Sequence, residues 1–432
     1  MNRVLSADWV LPVEGAPIPD GAVAIEGPRI AAVGSVDELG EGTRFDGGVI
    51  VPGFVNAHSH LEYAVYGGFG DGLSFAPWIL LHIERKARIG IAETEDIARF
   101  GAAECLRSGI TTVGDASHRG AAATACDELG LRAIVYVEVF GPDSEQLTTR
   151  FGAIRERIAP NLSKRVRLGI SPHSVYSAAL PLWEAATALG LPIATHFAES
   201  EAETQWVRDR SGPFADMPPI GGEPTSIREL AEHQLLSARV IAAHCVKVDA
   251  EEIALLAEHG VAVAHCPRSN ALLGSGIAPL RALRDAGVNV GLGTDSPASA
   301  PSFDMFDELR AAVSAARARE ADAAGMGASE ALELATLGGA RALGLGDVCG
   351  SLSAGKRADL AVLDFGDSPF FPWEDPAAAV VFGGTPDRVL LTLVDGEVRY
   401  EKGGTDWQEL IAAAQHARRA MLAAGQPLAE RA

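Results

Sequence analysis

Two histidines, His58 and His60, are separated by one residue and follow an apolar run of the chain. Residues i and i+2 of a strand point to the same face, so both imidazoles can bind one metal ion. His196, His244 and Asp295 each stand at the end of another apolar run. Three of these four imidazoles together with the carboxylate would form a ligand set that suits Zn²⁺, with Fe²⁺ as the alternative. A site of this kind keeps one position for water and lowers the pKa of that water toward about 7, which gives a hydroxide nucleophile.

Three further side chains follow the same pattern or lie beside it. Glu199 comes three residues after His196, where it can face both the water and a ring nitrogen of a substrate. We predict that Glu199 acts as a general acid and base, the alternative being a carboxylate on a solvated loop. His173 ends a further apolar run and is predicted to donate a hydrogen bond to the substrate. His265 precedes a Cys-Pro pair and is predicted to be structural.

These residues need a common scaffold, and the chain from about residue 50 to 345 supplies one. Short β-branched runs alternate there with turns and with stretches of helical period, which is the pattern of βα units. Eight such units in about 300 residues predict an α/β protein with a (β/α)8 TIM-like barrel, whose active site lies at the carboxyl ends of the strands. A doubly wound sheet would need a glycine-rich turn directly after an early strand, and no strand directly precedes glycine-rich residues 67–72. The predicted barrel strands are Val49–Val55, Thr111–Asp115, Arg132–Val139, Arg165–Ser171, Pro192–His196, Val240–His244, Val261–His265 and Asn289–Thr294.

The remaining parts of the chain are predicted to form smaller units. Residues 1–48 and 347–403 contain short strand patterns and are predicted to build one small β-sandwich domain from both chain ends. Residues 49–346 are then the catalytic barrel. Residues 404–432 are predicted to form a C-terminal helix that packs on the body.

The composition excludes several classes of function. The 432 residues include 36 Lys and Arg against 57 Asp and Glu, a net charge of −21, so no basic stripe for nucleic acid is expected. No apolar run approaches the roughly 18 to 20 residues of a membrane span, and the N-terminus lacks the pattern of a secretory signal. The five cysteines form no CxxC pair, which is typical of reduced thiols. We therefore expect a cytoplasmic protein with no nucleic-acid partner and no membrane partner.

Six segments along nearly the whole chain resemble, in order and spacing, the amidohydrolase superfamily. The resemblance is closest to the branch that contains deaminases of S-adenosylhomocysteine, 5′-modified adenosine and guanine together with triazine chlorohydrolases. It implies a (β/α)8 barrel with a small β-sandwich, in a family whose members are commonly homo-oligomers. The segments are VPGFVNAHSH (51–60), THFAES (195–200), HCPRSNALLGSGIAPL (265–280), LGTDSPAS (292–299), FDMFDELR (303–310) and GSLSAGKRADLAVLD (350–364).

The resemblance also implies the ligands of a mononuclear metal site. These are His58, His60, His196 and Asp295, which hold one divalent ion, Zn²⁺ first and Fe²⁺ second. Barrels that hold two metals usually bridge them with a modified lysine near the end of strand 4, and residues 165–173 contain no lysine. Because every expected ligand is present, a scaffold that has lost catalysis is disfavoured.

By the same resemblance, the reaction is hydrolytic deamination of an aminated heterocycle. Glu199 is implied to carry a proton to a ring nitrogen, and His244 to orient or deprotonate the metal-bound water. Asp295 is implied to help move a proton to the leaving group, and His173 to contact the substrate ring. Metal-hydroxide attack on an amidine-like ring carbon then releases ammonia, as in deaminases of other folds that pair a metal hydroxide with a Glu that is not a ligand.

The loop after the first barrel strand bears on the substrate. S-Adenosylhomocysteine deaminases carry the pattern W-L-x-x-x-I-W-P-x-E there, whose Glu binds the ribose hydroxyls. Aligning Trp78 places Ala87 at the position of that Glu, with Glu84 as a substitute. Other segments resemble aminodeoxyfutalosine deaminases, which act on a nucleoside that bears a benzoate group. They are HSHLEY (58–63), SFAPWI (74–79), SPHSVYS (171–177) and ESEAETQWVRDRSGPF (199–214).

We therefore expect 6-amino-6-deoxyfutalosine or another 5′-modified adenosine as the substrate. The alternatives are deamination of a guanine-like or pterin-like heterocycle and a triazine-type chlorohydrolase activity. Trp78 is predicted to cover the planar ring, with core packing as its alternative, and Glu62 to contact the substrate, with a plain loop carboxylate as its alternative. A substrate carboxylate would need a local cation, for which the candidates are Arg85, Arg119, Arg208 and Arg210.

Overall fold

The computed structural model describes residues 2–216 and 223–423. Within these residues, fifteen strands form two sheets, one of eight strands and one of seven. The strands are β1 (Asn2–Val10), β2 (Ile18–Glu26), β3 (Arg29–Ser35), β4 (Thr43–Pro52), β5 (Phe54–Ser59), β6 (Ile110–Ser117), β7 (Arg132–Val139), β8 (Val166–Pro172), β9 (Ile193–Phe197), β10 (Val240–His244), β11 (Ala262–His265), β12 (Val290–Leu292), β13 (Leu360–Asp364), β14 (Val389–Val394) and β15 (Glu397–Glu401).

Helices connect these strands and cover the larger sheet. No helix within the described residues is both long and apolar enough to cross a bilayer. The α-helices are α1 (Val36–Leu39), α2 (Phe75–Lys86), α3 (Ile91–Arg107), α4 (Ala121–Leu129), α5 (Ala153–Ile158), α6 (Leu180–Ala188), α7 (Glu201–Asp209), α8 (Ile227–Glu232), α9 (Ala250–Glu258), α10 (Pro267–Leu272), α11 (Leu280–Asp285), α12 (Met305–Glu320), α13 (Ala328–Glu333), α14 (Gly339–Ala342), α15 (Pro376–Ala378) and α16 (Gln408–Ala423). Short 3-10 turns lie at Leu61–Tyr63, Ala159–Asn161, Pro213–Asp216 and Pro386–Arg388, and π turns at Leu147–Gly152, Leu334–Gly338 and Ala379–Gly383.

The eight-stranded sheet forms a barrel. Strands β5 to β12 are neighbours in chain order, and every pair is parallel. The last and first strands meet where the amide of Asp295, just after β12, donates to the carbonyl of His58 on β5 at 3.0 Å. Every residue of β5, β6 and β7 is buried, because the barrel interior covers one face of each strand and the helices cover the other. The predicted (β/α)8 fold is confirmed.

The seven-stranded sheet is built from both ends of the chain, as expected. Its strand order is β15-β14-β13-β4-β1-β2-β3, in which β1 and β4 run parallel and the other neighbours run antiparallel. Apolar side chains from β1, β2, β4 and β13 form a core separate from that of the barrel. The second unit is therefore a mixed sheet with its own hydrophobic core.

The first predicted barrel strand, Val49–Val55, is divided between the two sheets. Residues up to Pro52 belong to β4, which pairs with β1 and β13, and the barrel strand β5 begins at Phe54. Gly53 stands at the junction, where an added Cβ would lie 2.1 Å from the side chain of Thr111. A continuous apolar run gives no signal for a change of sheet, so the predicted start of this barrel strand was too early.

Helix α16 packs against α3 near the end of the described chain. It buries Ala414, Ala417 and Met421, and Arg418 donates to the carbonyl of Gly67 at 3.0 Å. The predicted C-terminal unit thus contains a helix that contacts the body. Residues 424–432 of that unit lie outside the described part of the chain.

Candidate active site

The predicted metal ligands meet at the carboxyl ends of the barrel strands. His58 and His60 lie at the end of β5, His196 lies on β9, and Asp295 follows β12. Possible ligand atoms form two overlapping groups, and the atoms within each group lie within 4.8 Å of one another. One group consists of ring nitrogens of His58, His60 and His196, and the other of one atom each from His58, His244 and Asp295. Asp295 Oδ1 lies 3.6 Å from His58 Nε2 and 3.4 Å from His60 Nε2. The structure therefore brings His58, His60, His196 and Asp295 into one buried cluster, called here the ligand cluster, with His244 beside it.

Hydrogen bonds behind the ligand cluster determine which ring nitrogens face it. His60 Nδ1 donates to the carbonyl of Ala116 at 2.8 Å, and His196 Nδ1 donates to the carbonyl of His173 at 2.7 Å. Because a carbonyl can only accept, both Nδ1 atoms carry protons and both Nε2 atoms keep a lone pair. Backbone carbonyls in this position commonly orient the histidine ligands of metals.

Two serines orient the carboxylate of Asp295. Its Oδ2 accepts from Ser269 Oγ at 2.6 Å and from Ser299 Oγ at 2.8 Å, which leaves Oδ1 directed at the histidines. The backbone of Asp295 has a φ of 56° and that of His244 a φ of 70°, a region that non-glycine residues rarely adopt. Such strain concentrates at functional sites, where the surrounding structure enforces it. The sequence did not point to either serine, because Ser269 reaches Asp295 only through the closure of the barrel.

The donor set of the ligand cluster fits a divalent metal ion. His58 Nε2 and His244 Nε2 are buried without a hydrogen-bond partner in the described residues. Burial lowers the pKa of His60 and of His196, so both imidazoles are neutral at pH 7, the form that binds a metal. Neutral imidazoles and a carboxylate that converge on one point are the ligands expected for such an ion.

Glu199 and His244 lie beside the ligand cluster, with Glu199 Oε1 3.7 Å from His244 Nε2. His244 Nδ1 lies 3.0 Å from Asn270 Oδ1, which makes Nδ1 the donor and Nε2 the acceptor. Burial lowers the pKa of His244 to about 4. Burial, with the charges of Asp295 and Glu203, raises the pKa of Glu199 well above its usual value. The pair thus places a carboxyl group with a raised pKa beside an imidazole whose Nε2 carries a free lone pair.

The loop that carries Glu199 is fixed by a carboxylate in the first turn of α7. Glu203 accepts from the amides of Ala198 at 2.9 Å and Glu199 at 2.8 Å. Ser200 caps the same helix by accepting from the amide of Glu203 at 3.2 Å. This arrangement holds the backbone of Glu199 beside the cluster.

His173 and Trp78 both line a cavity that extends from the ligand cluster along α2. His173 Nδ1 lies 2.8 Å from Ser177 Oγ, which fixes the orientation of the ring. Aromatic and aliphatic walls with few polar groups are typical of sites for planar ligands. The apolar part of the lining consists of Phe75, Trp78, Ile79, Ile83, Phe140, Tyr176 and Ala298.

Glu62 lies apart from this lining. Its buried carboxylate accepts from the hydroxyl of Ser117 and from the amides of Arg119 and Ala121, both amides at 2.9 Å. These bonds join the turn after β5 to the start of α4. The structure therefore gives Glu62 a structural contact in place of the expected substrate contact. His265 is buried and also stands outside the lining.

Among the described residues, none of the four arginines suggested for a substrate carboxylate lines the cavity. Glu84, the suggested substitute for a ribose-binding Glu, stands outside the lining as well and pairs with Arg88 at 2.6 Å. Each arginine has a partner elsewhere: Arg85 the carbonyl of Met421, Arg119 that of Ile89, Arg208 the carboxylate of Asp209, and Arg210 that of Glu223.

Two charged side chains in the described lining were not predicted, Lys86 at the end of α2 and Glu138 on β7. Both leave a signal in the sequence. Lys86 is one helical turn after Ile83 on the same face, and Glu138 is an acidic residue inside an apolar strand. Such signals become informative only when the faces that border the cavity are known.

Comparisons with known proteins agree with this geometry. The profile of the amidohydrolase family matches residues 49–399. A 5-methylthioadenosine/S-adenosylhomocysteine deaminase from Moorella thermoacetica is 34% identical over 422 residues, which cover 93% of this chain and 95% of that protein. An adenosine deaminase from Xanthomonas campestris, solved with bound zinc, has a TM-score of 0.86 at 28% identity and covers 98% of this chain and 99% of its own. An atrazine chlorohydrolase from Arthrobacter aurescens, complexed with zinc, has a TM-score of 0.82 at 25% identity, with coverages of 96% and 99%.

The chain belongs to the amidohydrolase family. Family membership and the ligand cluster together identify a hydrolase with a divalent metal cofactor.

Proposed function

We propose that this protein is a hydrolytic deaminase of a 5′-modified adenosine, with 6-amino-6-deoxyfutalosine as the first candidate substrate. The observation that carries the proposal is the pair of Glu199 and His244, 3.7 Å apart beside the ligand cluster. Replacement of an amino group by water needs one group that gives a proton and one that takes a proton. The name of the Moorella relative supports the purine nucleoside class.

His58, His60, His196 and Asp295 are the residues that we propose to hold the metal ion, and the ion that we propose is zinc. The zinc in the Xanthomonas and Arthrobacter structures supports this choice over iron. When bound, the ion lowers the pKa of a water toward about 7 and so supplies a nucleophile at neutral pH.

The proton steps belong to Glu199, His244 and Asp295. His244 Nε2 is buried beside Glu199 without a hydrogen-bond partner in the described residues, and this position lets it accept the proton that the attacking water loses. Burial raises the pKa of Glu199, which favours a carboxyl group that delivers a proton to the ring nitrogen beside the attacked carbon. Asp295 assists transfer of the water's proton from His244 to the departing amino group as the C–N bond breaks, and the proton of the new hydroxyl group returns to Glu199. The ring carbon exchanges its amino group for oxygen, and ammonia leaves.

His173 and Trp78 position the heterocycle in this proposal. Both border the cavity beside the ligand cluster, and the indole of Trp78 presents a flat face for stacking. His173 offers a ring nitrogen to the substrate, since its Nδ1 is already engaged with Ser177.

Hydrolytic dechlorination of a triazine is the second candidate, because the Arthrobacter chlorohydrolase superposes over 96% of this chain. That reaction uses the same nucleophile and releases chloride. It has less use for an acid beside the ring, so the position of Glu199 next to the ligand cluster favours deamination.

The proposal is tested by ammonia and chloride release from zinc-reconstituted protein. The substrates are 6-amino-6-deoxyfutalosine, 5′-methylthioadenosine, S-adenosylhomocysteine, adenosine, guanine and a chlorotriazine. We expect rapid ammonia release from at least one 5′-modified adenosine and the highest kcat/KM with 6-amino-6-deoxyfutalosine. Chloride release from the triazine, with no ammonia from the nucleosides, would refute the proposal.

We also propose that the protein is a cytoplasmic homo-oligomer. All five cysteines are buried and unpaired, which supports a reducing compartment. The oligomeric state rests on the family resemblance, and light scattering tests it directly. A mass that is a multiple of 45.0 kDa supports the proposal, and a mass of 45.0 kDa contradicts it.

A further inference from the structure

Helix α2 forms one wall of the cavity, and the character of this wall changes along the helix. Phe75, Trp78, Ile79 and Ile83 line the cavity in successive turns, and Lys86 lines it in the last turn. At 1.5 Å per residue, the Cα atoms of Trp78 and Lys86 are about 12 Å apart along the helix axis. The apolar part of this wall therefore ends at an ammonium group, which contacts Tyr63, and the ring centroid of Tyr63 lies 5.6 Å from that of His60.

The ammonium group of the half-buried Lys86 has one hydrogen-bond partner among the described residues. Its Nζ lies 3.1 Å from the hydroxyl of Tyr63, and no carboxylate of the described residues lies within 4 Å of it. An ammonium has three N–H donors, so two remain available. The carboxylate of Glu138 acts on this ammonium group from more than 4 Å away, so no counterion is in direct contact with it. An anion brought by a ligand would fill this position.

The other charged group in this part of the lining, Glu138, is already surrounded by imidazoles. Its Oε1 lies 3.9 Å from His173 Nε2 and 4.0 Å from His60 Nδ1, and its Oε2 lies 3.6 Å from His118 Nδ1. Glu138 therefore stands against the ligand cluster, whereas Lys86 contacts Tyr63. An anion in contact with Lys86 is therefore closer to the ammonium group that attracts it than to the carboxylate of Glu138 that repels it.

Among the described residues, Lys86 is the one lysine or arginine that lines the cavity. Arg150 is held by His118 and stacks on the ring of Phe140, with its guanidinium carbon 5.7 Å from the ring centroid. Arg85 donates to the carbonyl of Met421 on α16. Neither arginine is placed to replace Lys86 in the cavity.

We propose that Lys86 binds a carboxylate on the 5′-substituent of the substrate and so makes the site selective for anionic 5′-modified adenosines. This inference rests on the proposed deaminase function and deepens it. The shared chemistry is a carboxylate on the 5′-substituent. A benzoate, as in 6-amino-6-deoxyfutalosine, and an amino-acid carboxylate, as in S-adenosylhomocysteine, are its two sources.

The experiment compares charged and neutral substrates in Lys86→Met, Lys86→Arg and the wild type. A charge-assisted hydrogen bond of this kind corresponds to about 10-fold to 100-fold in KM. Lys86→Met is expected to raise KM by that factor for 6-amino-6-deoxyfutalosine or S-adenosylhomocysteine and to leave KM for 5′-methylthioadenosine within about twofold. Lys86→Arg is expected to restore part of the loss because it keeps the charge. The substrate whose KM rises more in Lys86→Met shows whether Lys86 binds a benzoate or an amino-acid carboxylate.

Lys402→Met is the matched control, since Lys402 is exposed and donates to the carbonyl of Asp387 in the smaller unit. It is expected to change no KM. An equal loss for charged and neutral substrates in Lys86→Met would overturn the inference, as would no loss at all.

Binding of the deaminated products separates this inference from the proposed function. Titration calorimetry with futalosine, S-inosylhomocysteine and neutral 5′-methylthioinosine needs no turnover. We expect the wild type to bind a carboxylate product about 10-fold or more tightly than the neutral one, and Lys86→Met to lose this difference. A wild type that binds both classes equally contradicts the role of Lys86. Absence of ammonia release with the binding difference intact contradicts only the deaminase function.

Discussion

The two ends of the barrel bury polar groups in different ways. At the carboxyl ends of the strands, His58 Nε2 and His244 Nε2 are buried without a hydrogen-bond partner in the described residues. At the other end, Arg132, the first residue of β7, is held by both oxygens of Asp359 at 2.8 Å and 3.1 Å and by Asp395 at 2.6 Å. An unpaired buried group costs free energy unless something outside the chain binds it. The first end is built for ligands, and the second joins the barrel to the smaller sheet.

Loss of His196 is expected to have the largest effect at the ligand-binding end. His196→Ala removes one imidazole from the ligand cluster while the other ligands stay in place. We expect loss of the bound metal after dialysis and a fall in ammonia release of at least about 10³-fold. Metal content is measured by mass spectrometry of the dialysed protein.

The control for this variant is His265→Ala, which removes another buried imidazole at a strand end but outside the lining. This control is expected to keep its metal in the folded fraction. Full metal occupancy in His196→Ala would show that the ligand assignment is wrong.

Removal of one charge from the ion pair of Arg132 and Asp359, at the end of the barrel opposite the ligand cluster, should lower the stability of the protein and leave its catalytic rate unchanged. Asp359→Asn leaves the buried guanidinium of Arg132 without its main counterion. Breaking a buried pair from one side costs about 3–5 kcal/mol, so we expect a loss of that size in the free energy of unfolding. Urea denaturation measures it, and kcat of the folded protein should stay unchanged.

Asp367→Asn serves as the comparison, because Asp367 is exposed and pairs with Arg388 at 2.7 Å. Screening by water makes such surface pairs weak, so no measurable change in stability is expected. If Asp359→Asn unfolded at the same urea concentration as the wild type, the structural role of this end would be disproved.

Ser269→Ala should produce a smaller change, confined to the ligand-binding end. The variant removes one of the two hydroxyls that hold Asp295 Oδ2, and Ser299 still donates the other bond. Groups that orient a metal ligand are worth about 10-fold to 100-fold in metal affinity. Competition with a chelator measures the change.

Ser6→Ala is the matched control for Ser269→Ala, since Ser6 is a buried serine of the smaller sheet that donates to the carbonyl of Glu41 at 2.6 Å. Its metal affinity should equal that of the wild type. An unchanged affinity in Ser269→Ala would mean that the serines do not orient Asp295.

The sequence was sufficient for the barrel because each strand is a short apolar run followed by a helical stretch. The residues of the ligand cluster could be predicted for the same reason. His58, His60 and His196 lie at or directly beyond recognisable strands, and parallel strands bring their carboxyl ends to one rim. The division of residues 49–55 between two sheets could not be predicted, since both sheets bury the same kind of apolar residue.

The cavity wall was harder to predict than the rim. The arginines suggested for a substrate carboxylate were chosen by charge alone, and each finds a partner made available by the tertiary fold. Lys86 reaches the cavity because α2 turns the face of Trp78 and Ile83 toward it. Nothing in the sequence indicated a partner for Glu62 within the protein, so a contact with the substrate was predicted. In the structure, the amides of Arg119 and Ala121 donate to its carboxylate. Which groups a long side chain meets depends on the packing of distant segments.

In the proposed mechanism Glu199 supplies a proton, and binding of the metal ion does not depend on Glu199. Glu199→Gln keeps the size of the side chain and every residue of the ligand cluster, but removes the acid. The measurement is metal content together with ammonia release, with the exposed neighbour variant Glu201→Gln as control. We predict wild-type metal content and a fall in kcat of about 10³-fold or more in Glu199→Gln, with no change in the control. Near wild-type ammonia release from metal-loaded Glu199→Gln would contradict the mechanism.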